Sequence, residues 1–155
     1  MKYTSAQLIS LVTLRIAIGW HFLYEGAVKL VSPSWSSRAF LLDSKGFLSG
    51  FFSWMANNST LLQIIDVINE WGLTLIGAAL ILGLFNRIAI ICGVTLLGLY
   101  YLSHPAWIGF EYLFPSEGNY FLVNKNILEL VALLVLYHFP SSHVIGLERI
   151  LRIKL

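Results

Sequence analysis

The sequence predicts an all-α integral membrane protein, a four-helix bundle built as a single domain over residues 1–155. Two observations carry this. Hydrophobic residues make up 57% of the chain and charged ones only 12%, about half the charged share of an ordinary soluble domain, and mean hydropathy is +0.76. The apolar residues also fall into four runs, at 7–31, 62–84, 87–103 and 121–139. Each approaches the roughly 20 helical residues needed to cross a hydrocarbon layer.

The first run begins after Lys2 in the manner of a signal peptide, but Arg15 interrupts it and no small-x-small cleavage site follows. It reads as a retained span. In the long 32–61 connection, "RAFLLDSKGFLSGFFSWMA" predicts an amphipathic helix with Phe47, Leu48, Phe51, Phe52, Trp54 and Met55 mostly to one side. Such a segment lies flat in the headgroup region or packs over the bundle mouth. Trp35, Trp54, Trp71 and Trp107 belong at the same interface. Asn57, Asn58, Ser59 and Thr60 suit the cap of the second span. The short "GLFNR" connection makes spans two and three antiparallel neighbours. Pro105 and Pro140 terminate spans three and four.

Lysine and arginine placement sets the orientation. Lys2, Arg87, Arg149, Arg152 and Lys154 fall on one side, against Arg38 and Lys45 on the other. Both termini are therefore expected in the cytoplasm of a bacterial inner membrane. The net charge of +2 and the lack of a basic stripe argue against nucleic acid. Cys92 is the only cysteine, which rules out an intrachain disulfide, a CxxC pair or a zinc knuckle.

The first span carries the informative residues. "RIAIGWHFLYEGAVKL" holds Arg15, His21, Glu25 and Lys29. At about 1.5 Å per residue, Glu25 lies about 6 Å deeper than Lys29, His21 about 12 Å and Arg15 about 21 Å. All four share one stripe of the helix, bordered by Gly19 and Gly26, where another helix can approach closely. Span two brings Asp66 and Glu70 to the outer half, and span four brings Asn124, Lys125, Asn126 and Glu129. Each charge at a helix centre costs roughly 2.5–3.5 kcal/mol, so these groups must face one another or a polar cavity. Glu25 and Lys29 form an i,i+4 pair in the favourable order, and Glu129 is expected to find Lys29 or Arg15 on another helix. The four acids outnumber Arg15, Lys29 and Lys125 by one, an excess that a protonated His21 or a neutral carboxyl would balance. The candidate pocket residues are thus Arg15, His21, Glu25, Lys29, Asp66, Glu70, Asn124, Lys125 and Glu129. The competing reading makes the same charges assembly glue. His104, His138 and His143 read as interfacial residues, and His21 without a second histidine at ligand spacing predicts no metal.

These residues resemble the DoxX family of small four-span bacterial membrane proteins. The resemblance is carried by Arg15, Gly19, Gly26 and Lys29, by "LGLFNR" ending at Arg87, and by "EGNYFLVNKNILEL" with Lys125. It implies kinship with the membrane subunit of a thiosulfate:quinone oxidoreductase, with membrane anchors for redox-defence proteins, and more distantly with membrane chaperones and cargo receptors. The sequence has no flavin, haem or iron–sulfur motif, so electron transfer would need a bound quinone, a partner subunit, or both.

Three functions remain open at this point. A quinone-interacting or membrane-anchoring subunit of an oxidoreductase would use His21, Glu25, Lys29 and Glu70 for carbonyl donors and protons, with Trp20, Phe22 and Tyr24 beside the ring. A non-enzymatic adaptor or assembly factor would dock a redox or extracytoplasmic partner on the outer loop. A proton or small-ion carrier would use the carboxylates as a path, with homo-oligomerisation to complete it.

Overall fold

The computed structural model describes residues 3–113 and 121–151. Among them run seven helices: α1 (Ser5–Leu30), α2 (Arg38–Leu42), α3 (Ser49–Asn57), α4 (Ser59–Leu82), α5 (Asn86–Ser103), α6 (Lys125–His138) and α7 (Leu147–Ile150). α1, α4 and α5 are long and apolar enough to cross a membrane. Their 26, 24 and 18 residues give lengths of about 39, 36 and 27 Å. Two ends can be distinguished. The loop end holds Leu30, Ser59, Ser103 and Lys125; the turn end holds the α4–α5 connection.

The expected span at 121–139 is only partly helical. α6 has 14 residues, about 21 Å, which is less than a hydrocarbon core of about 30 Å. Its start is delayed because Phe121 and Leu122 take left-handed backbone angles, φ 46° and 61°. That conformation is held from outside: Leu122 N–H donates to the Ala106 carbonyl and the Tyr101 hydroxyl donates to the Leu122 carbonyl. Asn124 then caps the helix by accepting from Ile127 N–H at 3.2 Å.

α1 and α4 pack antiparallel at short range. A Cβ on Gly77 would come within 2.6 Å of the Gly19 carbonyl oxygen, and one on Gly26 would collide with Thr74. Glycine here lets the two backbones touch, which is how helices gain contact when lipid removes any hydrophobic preference for association. Between the long helices and α6 lies an apolar core that includes Ile18, Phe22, Ile76, Leu80, Leu97 and Leu133. The opposite faces present Ile9, Trp20, Val67, Ile68, Leu75 and Ile91 outward, as lipid-facing helices do. α6 lies along α5 and meets α1 only sparingly.

The 32–61 connection is helical but is not one helix. α2 and α3 are separated at 43–48, where Asp43 turns its carboxylate inward and Lys45 N–H donates to the Ser103 carbonyl at the end of α5. A continuous helix would forfeit both anchors. The apolar residues of this segment do not share one side as expected: Phe52 and Ala56 are buried, while Phe47, Phe51 and Trp54 are exposed. Asn58 caps α4 through Leu61 N–H, and α5 and α6 end just before Pro105 and Pro140. The α4–α5 turn is three residues long, with Gly83 at φ 62° supplying the left-handed stop.

Candidate functional site

The ionisable residues separate into three levels along the bundle. Within the spans, His21 of α1 meets Glu129 of α6, with Nδ1 and Oε1 2.8 Å apart. This corrects the expected partner of Glu129. Because α6 starts at Lys125, Glu129 enters about 6 Å below its end and comes opposite His21 rather than Lys29 or Arg15. The contact is an ion-pair approach without an aligned hydrogen bond, and His21 Nε2 and Glu129 Oε2 are buried with no partner among the described residues. One and two turns above His21, Glu25 and Lys29 pair as expected at 3.1 Å, and the Lys29 ammonium lies 5.5 Å from the centre of the Trp35 ring. Across the core, Asn69 Nδ2 of α4 donates to the Tyr100 hydroxyl of α5 at 2.7 Å.

At the loop end, Asp66 serves the backbone. Its carboxylate accepts from Ser36 Oγ and Ser37 N–H, each at 2.8 Å, and from Ser37 Oγ, pinning the start of α2 onto α4. Glu70 is half-buried one turn along α4. Asn124 acts as a helix cap, and Lys125 is the first, half-buried residue of α6. Close by, the buried Asp43 accepts from Leu113 N–H at 2.8 Å and approaches His104 Nε2 at 3.7 Å. His104 stacks on Phe40 with ring centres 3.9 Å apart, and its Nδ1 meets Ser103 Oγ at 3.0 Å. Burial lowers the His104 pKa below the usual histidine value, against the opposing pull of Asp43. Tyr112, whose hydroxyl donates to the Pro105 carbonyl, is pushed up to about 12, chiefly by burial.

At the turn end, Arg15 is 1% exposed. Its Nη2 donates to the Ile145 carbonyl at 2.8 Å and its Nη1 to Ser141 Oγ at 3.2 Å. Both hydrogen bonds of Arg15 thus go to the segment that follows α6 and neither goes to Glu129. Glu148, 2% exposed, accepts from Asn86 N–H at 2.6 Å and lies 3.5 Å from His143 Nδ1. Arg87 rests over the Tyr137 ring.

The nine sequence candidates fall into separate contacts. His21 joins Glu129 and Glu25 joins Lys29; Asp66, Asn124 and Arg15 hold the backbone of loops or helix ends. Phe22 is in the core, but Trp20 and Tyr24 point outward at 61% and 58% exposure, so they do not flank a ring inside the bundle. Sequence reasoning missed Asn69, Tyr100, Asp43, Ser141 and Glu148. Asn69 was the one with a usable signal, as an amide inside an apolar run beside Glu70.

These features define a small membrane protein of apolar helices cross-linked by buried polar pairs. A family model, DoxX, matches residues 10–105, and the chain belongs to the DoxX family. The match spans α1 to the end of α5, so Glu129 and Glu148 lie beyond it. Comparison with curated proteins finds no match, and neither does comparison with solved structures.

Proposed function

We propose that the protein is a quinone-interacting subunit of a membrane oxidoreductase system, with His21 and Glu129 as its proton-handling pair. The observation that supports this is an imidazole and a carboxylate in contact inside the spans, each with one polar atom unpartnered, at Nε2 and Oε2. Buried groups left in that state lose about 1–3 kcal/mol apiece, so the arrangement suits a visiting ligand. Quinone, when bound, supplies an acceptor of two electrons and two protons, and a partner redox protein supplies the electrons. His21 Nε2 would hold one carbonyl oxygen, and the His21–Glu129 pair would relay one of the two protons to it, the other coming from outside the pair.

In the same reading the protein sits in a bacterial inner membrane with both ends cytoplasmic. Arg87 and Arg149 lie at the turn end, against Arg38 and Lys45 at the loop end. α6 serves as a fourth, shorter member of the bundle, extended toward the loop end by residues 121–124. α3 lies in the outer headgroup region with Phe51 and Trp54 toward lipid.

A non-enzymatic adaptor is the second reading. It is supported by Phe47, Ile108 and Leu113, which stand 75%, 78% and 87% exposed at the loop end, as a docking face would. Purification from the native membrane in mild detergent, followed by mass spectrometry of extracted quinones, decides between them. The first reading expects near-stoichiometric quinone that is lost in His21→Phe and Glu129→Gln. No enrichment over an unrelated membrane protein favours the adaptor.

A further inference from the structure

α1 is tied to α6 at one place and to the segment that follows α6 at another, and the two ties are of different kinds. One is the His21–Glu129 contact. The other is at the turn end, where residues 141–151 fold back under the bundle. Arg15 of α1 donates to Ser141 Oγ and the Ile145 carbonyl. Glu148 N–H donates to the Gly83 carbonyl at 3.1 Å, and the Glu148 carboxylate receives Asn86 N–H. Three parts of the chain, α1, the α4–α5 turn and the segment after α6, therefore converge on two buried charged residues.

The fit is tight because Gly83 and Gly146 abut. A Cβ on Gly83 would lie 2.9 Å from Gly146 Cα and 3.1 Å from Arg15 Nη1. An apolar plug in the same space would avoid the desolvation cost of burying these two charged side chains. What the polar version adds is direction: a guanidinium fork and a carboxylate accept few arrangements. Arg15 Nε, Asn86 Oδ1 and Ser142 Oγ are buried without partners among the described residues, so the arrangement does not maximise stability. Along α1, Arg15 is six residues, about 9 Å, from His21 on one continuous helix.

We propose that Arg15 and Glu148 are positioning residues: by fastening 141–151 to α1 and the α4–α5 turn, they set where α6 lies against α1 and so hold His21 on Glu129. Its functional meaning rests on the proton-handling reading above, but its geometry can be tested apart from it.

The test uses the full chain in lipid nanodiscs with 15N-labelled histidine. His21 is assigned by its loss in His21→Phe, and Glu129→Gln provides the reference for an uncoupled ring. Arg15→Gln and Glu148→Gln are expected to move the His21 ring-nitrogen shifts at least halfway to that reference, with Arg15→Lys between them and the wild type. His104, in the loop-end cluster, stays unchanged and reports that the fold is intact. Wild-type His21 shifts in either variant, with or without release of 141–151, overturn the proposal. Should Arg15→Gln also lose the His104 signals, it has unfolded, and Ser141→Ala with Glu148→Gln carries the test by the same criterion. Bound quinone is measured in parallel. A wild type with coupled His21 shifts and no quinone defeats the redox reading and leaves the positioning role standing.

Discussion

The Glu148 carboxylate caps a helix that begins 62 residues earlier: its Oε1 accepts the backbone N–H of Asn86 at 2.6 Å. α5 has no side-chain cap of its own, because its N-cap residue is Phe85, whose ring offers no oxygen to accept a backbone N–H. A negative charge at a helix N-terminus is favourable both as an acceptor and against the helix dipole.

Glu148→Ala is therefore expected to cost about 2–3 kcal/mol, because it strands the buried Asn86 N–H. Glu148→Gln keeps an acceptor and should cost less, about 1–2 kcal/mol. Thermal unfolding in detergent checks the order, and equal losses for both would contradict it.

At the α1–α4 contact, Gly77→Leu forces a side chain against the Gly19 carbonyl and Leu23. The expected outcome is a loss of about 1–3 kcal/mol and a widened α1–α4 spacing, measured by spin-label distances. The same change at Gly98, where a Cβ meets nothing within 4 Å, should be nearly neutral.

His104 gives a pH dependence with a definite sign. Its folded pKa is lowered by burial, so the unfolded form binds the proton more readily. The loop-end cluster keeps its full stability above about pH 6.5, the ordinary histidine value. It loses stability as pH falls through the lowered folded value. Amide exchange at Lys45, whose N–H bonds to Ser103, should accelerate in that window, and His104→Phe should flatten the response. An unchanged pH profile in that variant would remove His104 as the cause.

Asp66 separates a structural carboxylate from a functional one. Asp66→Ala frees Ser36 and Ser37 from α4 and should cost about 1–3 kcal/mol while leaving quinone content per folded molecule unchanged. A fall in quinone content as large as that in Glu129→Gln would place Asp66 in the ligand site after all.

Some of this was written plainly in the chain. Gly83 and the short "GLFNR" turn, Pro105, Pro140 and Asn58 each act on residues within a few positions, and each ended, turned or capped a helix where expected. Lys29 found Glu25 because one helical turn separates them. Arg15 was legible as a buried charge facing inward, but its partners were not. Ser141 and Ile145 lie 126 and 130 residues away, and no local pattern encodes that distance. Nothing local marks Asp43, which the fold places beside Leu113 N–H and His104.

The sequence by itself determined that this is a membrane protein of apolar helices with charges on their inner faces. In hydrocarbon every backbone polar group must bond within its own segment, so long apolar runs have few alternatives to helix. Only the tertiary structure decided which charges meet. Pairing depends on the depth at which each helix sits and on its rotation, and α6, entered through left-handed Phe121 and Leu122, presents Glu129 to His21. Those offsets arise from contacts distant in sequence, and a difference of one helical turn, about 5.4 Å, changes every partner.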